Sequence, residues 1–139
     1  MNPIENKLMT VFDLDKNQHI AFLPMAGGPD VIKFDCGLKR IYVACSSGAI
    51  SVFKMDDPDH YRKLEDFPVQ KKVHSLAVDA ETHRLYAPEQ EADGKAVARM
   101  IVYEAVINKQ DVIRRCFEVN PFGNLSDNCI AAIDKLSRR

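Results

Sequence analysis

Part of this chain occurs twice, and that repetition constrains its fold more than any other feature. Phe34-Asp35, followed by Lys39-Arg40-Ile41-Tyr42, returns as Val78-Asp79, followed by His83-Arg84-Leu85-Tyr86. Both halves of the match stand 44 positions apart. The apolar pair Val11-Phe12 returns at Val52-Phe53, 41 positions on, and as Val102-Tyr103 after a further 50. A period of roughly 40–45 residues means that one supersecondary unit is built more than once, each copy burying its apolar face against the next.

The texture inside each unit is that of short strands. Leu8 to Phe12 and His19 to Leu23 alternate apolar and polar positions around the turn-rich Asp13 to Asn17. The same pattern predicts strands over 8–14, 18–25, 30–35, 40–45, 49–55 and 60–68, with three or four more after these. Asp35 to Lys39 and Ser46-Ser47-Gly48 supply turns. Glu89 to Ala98, which contains Asp93-Gly94, reads as an enlarged loop that lengthens the last interval, and Pro88 is expected to shorten or expose its strand. No window before residue 119 sustains a helical period. The expected fold class is therefore all-β, in antiparallel four-stranded propeller-type blades. Roughly two and a half blades fit, a partial propeller by the usual count of four to eight.

These residues resemble a known family. Asp35-Cys36-Gly37-Leu38-Lys39-Arg40-Ile41-Tyr42-Val43-Ala44-Cys45 is similar to the "D-x-x-x-x-R-L/I-Y-V-A/T-N" core of the YVTN-type β-propeller repeat, with Cys45 in place of the family's Asn. Ala49 to Phe53 resembles its following "T-V-S-V-I-D" strand. Thr10 to Leu14, His19 to Ala21 and Gly27-Gly28-Pro29 resemble the "V-I-D-L", "V-V-A-T-I" and "G-x-x-P" stations. The resemblance spans about residues 8–105 and implies a fold, not an activity, because propellers host many functions.

The organisation expected is a repeat domain over 1–119 and a distinct tail over 120–139. In the tail, Asn120 to Asn124 reads as a linker, and Ser126 as the cap of a short C-terminal α-helix with an apolar stripe through Cys129, Ile130 and Ile133. Such a helix needs a surface to dock on. Unpartnered blade faces would bare Ile32, Phe34, Leu76 and Val78, which predicts self-association, with a two-fold homodimer favoured and a protein partner as the other cover.

Composition narrows the partners. Nineteen Lys and Arg against twenty Asp and Glu leave a net charge of −1, without the basic excess of a nucleic-acid binder. No apolar run reaches the ~20 residues of a membrane helix, so no membrane partner is expected. The first residues lack the form of a signal peptide, which favours the cytoplasm, or an extracytoplasmic place if the chain is a fragment. Cys36, Cys45, Cys116 and Cys129 show no CxxC pair, and their spacing leaves free thiols or a disulfide open. No cofactor is expected.

Two clusters carry candidate chemistry. Asp30 and His74 stand 44 positions apart, each just before the first strand of its unit, with Ser75 beside the imidazole. Such a carboxylate and imidazole would meet at the axial mouth, to bind a ligand or work as an acid–base pair, or else to satisfy strand-end donors. Asp56-Asp57-Pro58-Asp59-His60 gathers three carboxylates and an imidazole; a solvated hairpin turn is favoured over a hard-cation site. No coherent nucleophile or catalytic set accompanies either cluster. The function expected is a non-enzymatic module for protein interaction or ligand presentation. The alternative is a fragment or subunit of a propeller enzyme of lactonase, lyase or quinoprotein type, and whether the chain is an enzyme stays open.

Overall fold

A computed structural model describes residues 7–107 and 112–119, and within them the chain is all-β and antiparallel. The strands are β1 (Leu8–Asp13), β2 (Gln18–Pro24), β3 (Pro29–Asp35), β4 (Arg40–Cys45), β5 (Ala49–Asp57), β6 (His60–Pro68), β7 (Ala77–Asp79), β8 (Arg84–Ala92), β9 (Lys95–Ala105) and β10 (Ile113–Val119). They form three sheets: β1-β2, β3-β4-β5-β6 and β7-β8-β9-β10, each strand beside its neighbour in sequence. The expected C-terminal helix and Cys129 lie outside the described residues.

The sequence repeat is matched by the pairing register. Tyr42 faces Val52 across β4 and β5, as Tyr86 faces Val102 across β8 and β9. Ala44 faces Ile50 as Pro88 faces Met100, and Arg40 faces Lys54 as Arg84 faces Glu104. The repeat therefore marks equivalent rows of side chains in the two larger sheets.

The motif aspartate earns its place at a turn. After β1, β3 and β7, the carboxylates of Asp13, Asp35 and Asp79 accept the backbone N–H groups of Asp15, Gly37 and Glu81, each at 2.9 Å. Four residues beyond each aspartate, Asn17, Lys39 and His83 take positive φ values of 53°, 54° and 60°. The side chain closes the turn and offsets the strain of a left-handed residue without glycine.

Alternation then sorts the core. Tyr42, Ala44, Ile50 and Val52 leave one face of the middle sheet and pack with Leu85, Ala87, Ile101, Tyr103 and Ile113 of the third. Ile41, Val43, Cys45 and Phe53 leave the other face and pack against Met9, Val11 and Leu23 of the first. Tyr42 is fully buried, a packing residue as expected. Tyr103 meets Phe67 edge-on at 5.5 Å, and burial pushes its phenol up to about 12. Ser51, buried among the apolar residues, donates to Asp66 at 2.6 Å and accepts the Ala26 N–H at 3.0 Å. β3 lies against β7, and β2 against β6.

Two expectations need correction. Pro88 does not shorten its strand, since β8 continues to Ala92, but it stands where that strand is left as an open edge. β7 pairs no further along β8 than Tyr86, so the missing Pro88 N–H falls on an edge where no ladder bond is lost. The expected enlarged loop is instead a hairpin extension, with Ala92 paired to Lys95 around Asp93 and Gly94. Their φ values of 52° and 78° are those of a two-residue type I′ turn, the form whose twist matches the strands.

The turn carboxylates give the fold a pH dependence. The Lys16 N–H holds the Asp13 carboxyl below its ordinary range, and the Glu81 N–H does the same for Asp79. A depressed folded pKa contributes stability that is present above the unfolded value, about 3.9, and is lost as pH falls through the folded value. Urea midpoints measured between about pH 6 and pH 2 should therefore fall on the acid side, and less steeply in Asp79→Asn. Asp35→Ala, which orphans three donors around a buried carboxylate, should cost on the order of 2–4 kcal/mol in the same assay at neutral pH. An equal effect from Asp13→Ala, in an exposed turn, would contradict this account.

Candidate functional site

Asp30 owes its position to an irregularity in β3. The Gly28 carbonyl accepts the Ser46 N–H at 2.8 Å, and Gly28 itself has φ 70°. A Cβ there would meet Ser46 Oγ at 2.2 Å, so the close approach requires glycine. Pro29 pairs with Cys45 and Val31 with Ala44, leaving Asp30 as the extra residue of a bulge. Bulges of this kind re-aim a side chain.

His74 lies in the connection between β6 and β7, pinned by buried Val73 and Leu76 on either side. Its Nδ1 meets Asp30 Oδ2 at 2.5 Å, tying the start of β3 to the connection that leads into β7. Both side chains are about half exposed, at 47% and 45%. A carboxylate on Nδ1 fixes the ring's orientation and leaves Nε2 to exchange a hydrogen bond or proton with a ligand. Ser75 is exposed beside it, with no hydrogen bond to the imidazole. The arrangement can orient a polar ligand, but no activated nucleophile stands next to it among the described residues.

The acidic turn is a two-residue hairpin, Asp57 pairing with His60 around Pro58 and Asp59. Asp57 accepts from His60 Nδ1 at 2.7 Å and from the Asp59 N–H at 2.8 Å. Asp56 pairs with Arg62 at 3.0 Å, and Asp59 with Lys16 at 3.5 Å. The His60 hydrogen bond holds the Asp57 carboxyl low, and Asp57 raises the imidazole in return. The carboxylates are thus engaged with cations. Among the described residues no group of three or more His, Cys, Asp or Glu side chains is arranged to hold a metal ion.

A third carboxylate–imidazole pair has no counterpart in the sequence pattern. Asp35 is completely buried, and its Oδ2 meets His83 Nδ1 at 2.8 Å while its Oδ1 accepts the Gly37 and Leu38 N–H groups. A Cβ on Gly37 would come within 2.6 Å of His83 Cε1, so the glycine makes room for the ring. Arg40 continues the seam, donating to the Val106 and Val112 carbonyls at 2.9 Å each. Asp35 and Arg40 are the charged letters of the repeat motif. That was the available signal, but their partners lie in the next sheet, beyond local pattern.

The thiols divide by environment. Cys36 is exposed, Cys45 buried and Cys116 half-buried, and all three are free. Burial pushes the Cys45 thiol up, and burial together with Glu104 raises Cys116. Iodoacetamide should therefore label Cys36 first and Cys45 only on unfolding, since the thiolate is the reactive form. For the half-exposed pair, Asp30→Ala and His74→Ala should each change stability by less than about 1 kcal/mol. The double variant should be no worse than the sum, as read by urea denaturation.

Compared with known proteins, the chain matches no family model, no curated protein and no solved structure.

Proposed function

We propose that this chain is a propeller-repeat module of YVTN type, non-enzymatic, which presents surfaces for protein interaction or ligand binding and works as an assembly. The observation that carries the reading is the row-by-row equivalence of the two four-stranded sheets, Tyr42–Val52 with Tyr86–Val102 and Ala44–Ile50 with Pro88–Met100. The stacking supports it further. β3 and β7, the first strands of their units, lie together, as do β2 and β6, the last. That is the radial order of neighbouring blades, inner beside inner and outer beside outer. On this reading β1 and β2 are the outer half of a further blade.

Assembly follows from apolar exposure. Leu8 and Phe22, diagonal neighbours on the face of the first sheet turned away from the middle one, are 44% and 59% exposed. Clustered exposure of this kind marks an interaction surface. Light scattering at micromolar concentration should give a two-fold dimer, a mass of twice the 15.7 kDa chain. A clean monomer over the whole concentration range would overturn the assembly.

The Asp30–His74 pair, which joins the start of β3 to the connection that leads into β7, favours the second reading, a fragment or subunit of a propeller enzyme with its site at the axial mouth. That reading needs more polar groups or a metal converging on the same point. Metal analysis of the purified protein separates the two. A stoichiometric divalent ion lost in the Asp30→Ala, His74→Ala double variant favours the enzyme, and its absence from both proteins favours the module.

A further inference from the structure

The interface between the first and middle sheets stops short. Ile41, Val43 and Phe53 of the middle sheet are covered by Met9, Val11 and Leu23. Phe34 pairs with Ile41 and Ile32 with Val43, so both stand on that same face, one strand further along. They are nevertheless about half exposed. Beside them runs the edge of β1 that has no partner strand among the described residues. Between that edge and β3 lies a groove of roughly 430 Å³, floored by Ile32, Phe34 and Ile41 and walled by Met9 and Val11.

The free edge can hydrogen-bond. Lys7 accepts the Met25 N–H at 2.8 Å, so Lys7, and by alternation Met9 and Val11, turn their main-chain groups toward β2. Leu8 and Thr10 then turn theirs away from it, into the groove. In the middle sheet the corresponding edge, that of β5, is filled by β4.

We infer that this groove receives an extended strand of another polypeptide, added antiparallel to β1. The strand carries apolar side chains at alternate positions seated on Ile32 and Phe34. The inference deepens the module reading and rests on it: the incoming strand takes the place in the first sheet that β4 takes in the middle one. The groove continues an interface already built, between the same two sheets, and an unpaired edge beside an apolar floor is the arrangement that strand addition completes.

The probe is a synthetic peptide of residues 29–45 of this chain with Cys36→Ser and Cys45→Ser, the strand pair that fills the equivalent place in the middle sheet. Titrated into the full-length protein, it should bind saturably below about 100 µM and slow hydrogen exchange at the Leu8 and Thr10 amides. Thr10→Pro removes an edge N–H that the β1–β2 ladder does not use, and Ile32→Lys puts a charge on an exposed floor position. Each should weaken binding at least about tenfold, and the second keeps the test decisive if the first fails to fold. Saturable binding that both folded variants retain at full strength overturns the inference, as does no binding at all. If the Leu8 and Thr10 amides become protected with rising protein concentration and no peptide, a second copy occupies the edge and the inference also falls. A dimer whose edge amides exchange freely and whose groove ignores the peptide leaves the assembly standing and sinks the strand. A monomer that binds the peptide does the reverse.

Discussion

The two central strands of the middle sheet, β4 and β5, are buried on both faces, and most of the fold follows from that. In β4 and β5 successive side chains enter opposite cores, so Tyr42, Ala44, Ile50 and Val52 serve the third sheet while Ile41, Val43, Cys45 and Phe53 serve the first. A slip of one residue in either strand would exchange the two sets, so register is fixed from both sides at once. Such strands read as continuous apolar runs, which is how Ile41 to Cys45 looks in sequence. The polar exception, Ser51, survives because its hydroxyl is satisfied on both sides, by Asp66 and by the Ala26 N–H.

β3 is held at both ends by a carboxylate and an imidazole, at its start to the connection that leads into β7 and at its end to the turn between β7 and β8. At its start Asp30 meets His74 in partly open surroundings, and at its end Asp35 meets His83 under complete burial of the carboxylate. The chemistry is the same and the consequence differs. Solvent screens the first pair, so it holds little free energy and its ring nitrogen is open to a ligand. The second gains more from each hydrogen bond because water cannot compete, and it positions the turn that feeds β4. Exposure, not residue identity, separates the candidate site from the structural seam.

Much of this could be read from the sequence, and the failures have physical causes. The repeat placed Asp35 with Asp79 and Arg40 with Arg84, and those positions proved to be turn closures and equivalent rows. The antiparallel all-β character followed from period-2 alternation. Pro88 misled because its effect depends on which edge its nitrogen faces, and that is set by where the three-residue β7 ends. Glu89 to Ala98 misled because a polar hairpin and a polar loop have the same composition; only the signs of φ at Asp93 and Gly94 distinguish them. The Asp35–His83 pair was invisible because His83 reaches the carboxylate from a left-handed turn position in another sheet, a relation no spacing rule encodes.

The first sheet shows what stacking demands. A sheet of two strands cannot cover a face four strands wide, so the apolar surface of the middle sheet must end in the open wherever its cover ends. It ends at β3, and there Ile32 and Phe34 keep the alternation of a buried strand although solvent reaches them. A solvent face would place polar residues at these positions, as the exposed turn at Asp56 to His60 does. Their apolar character is what the proposed strand addition would use. The groove beside β1 is the unfilled part of a contact that the rest of the middle sheet already makes.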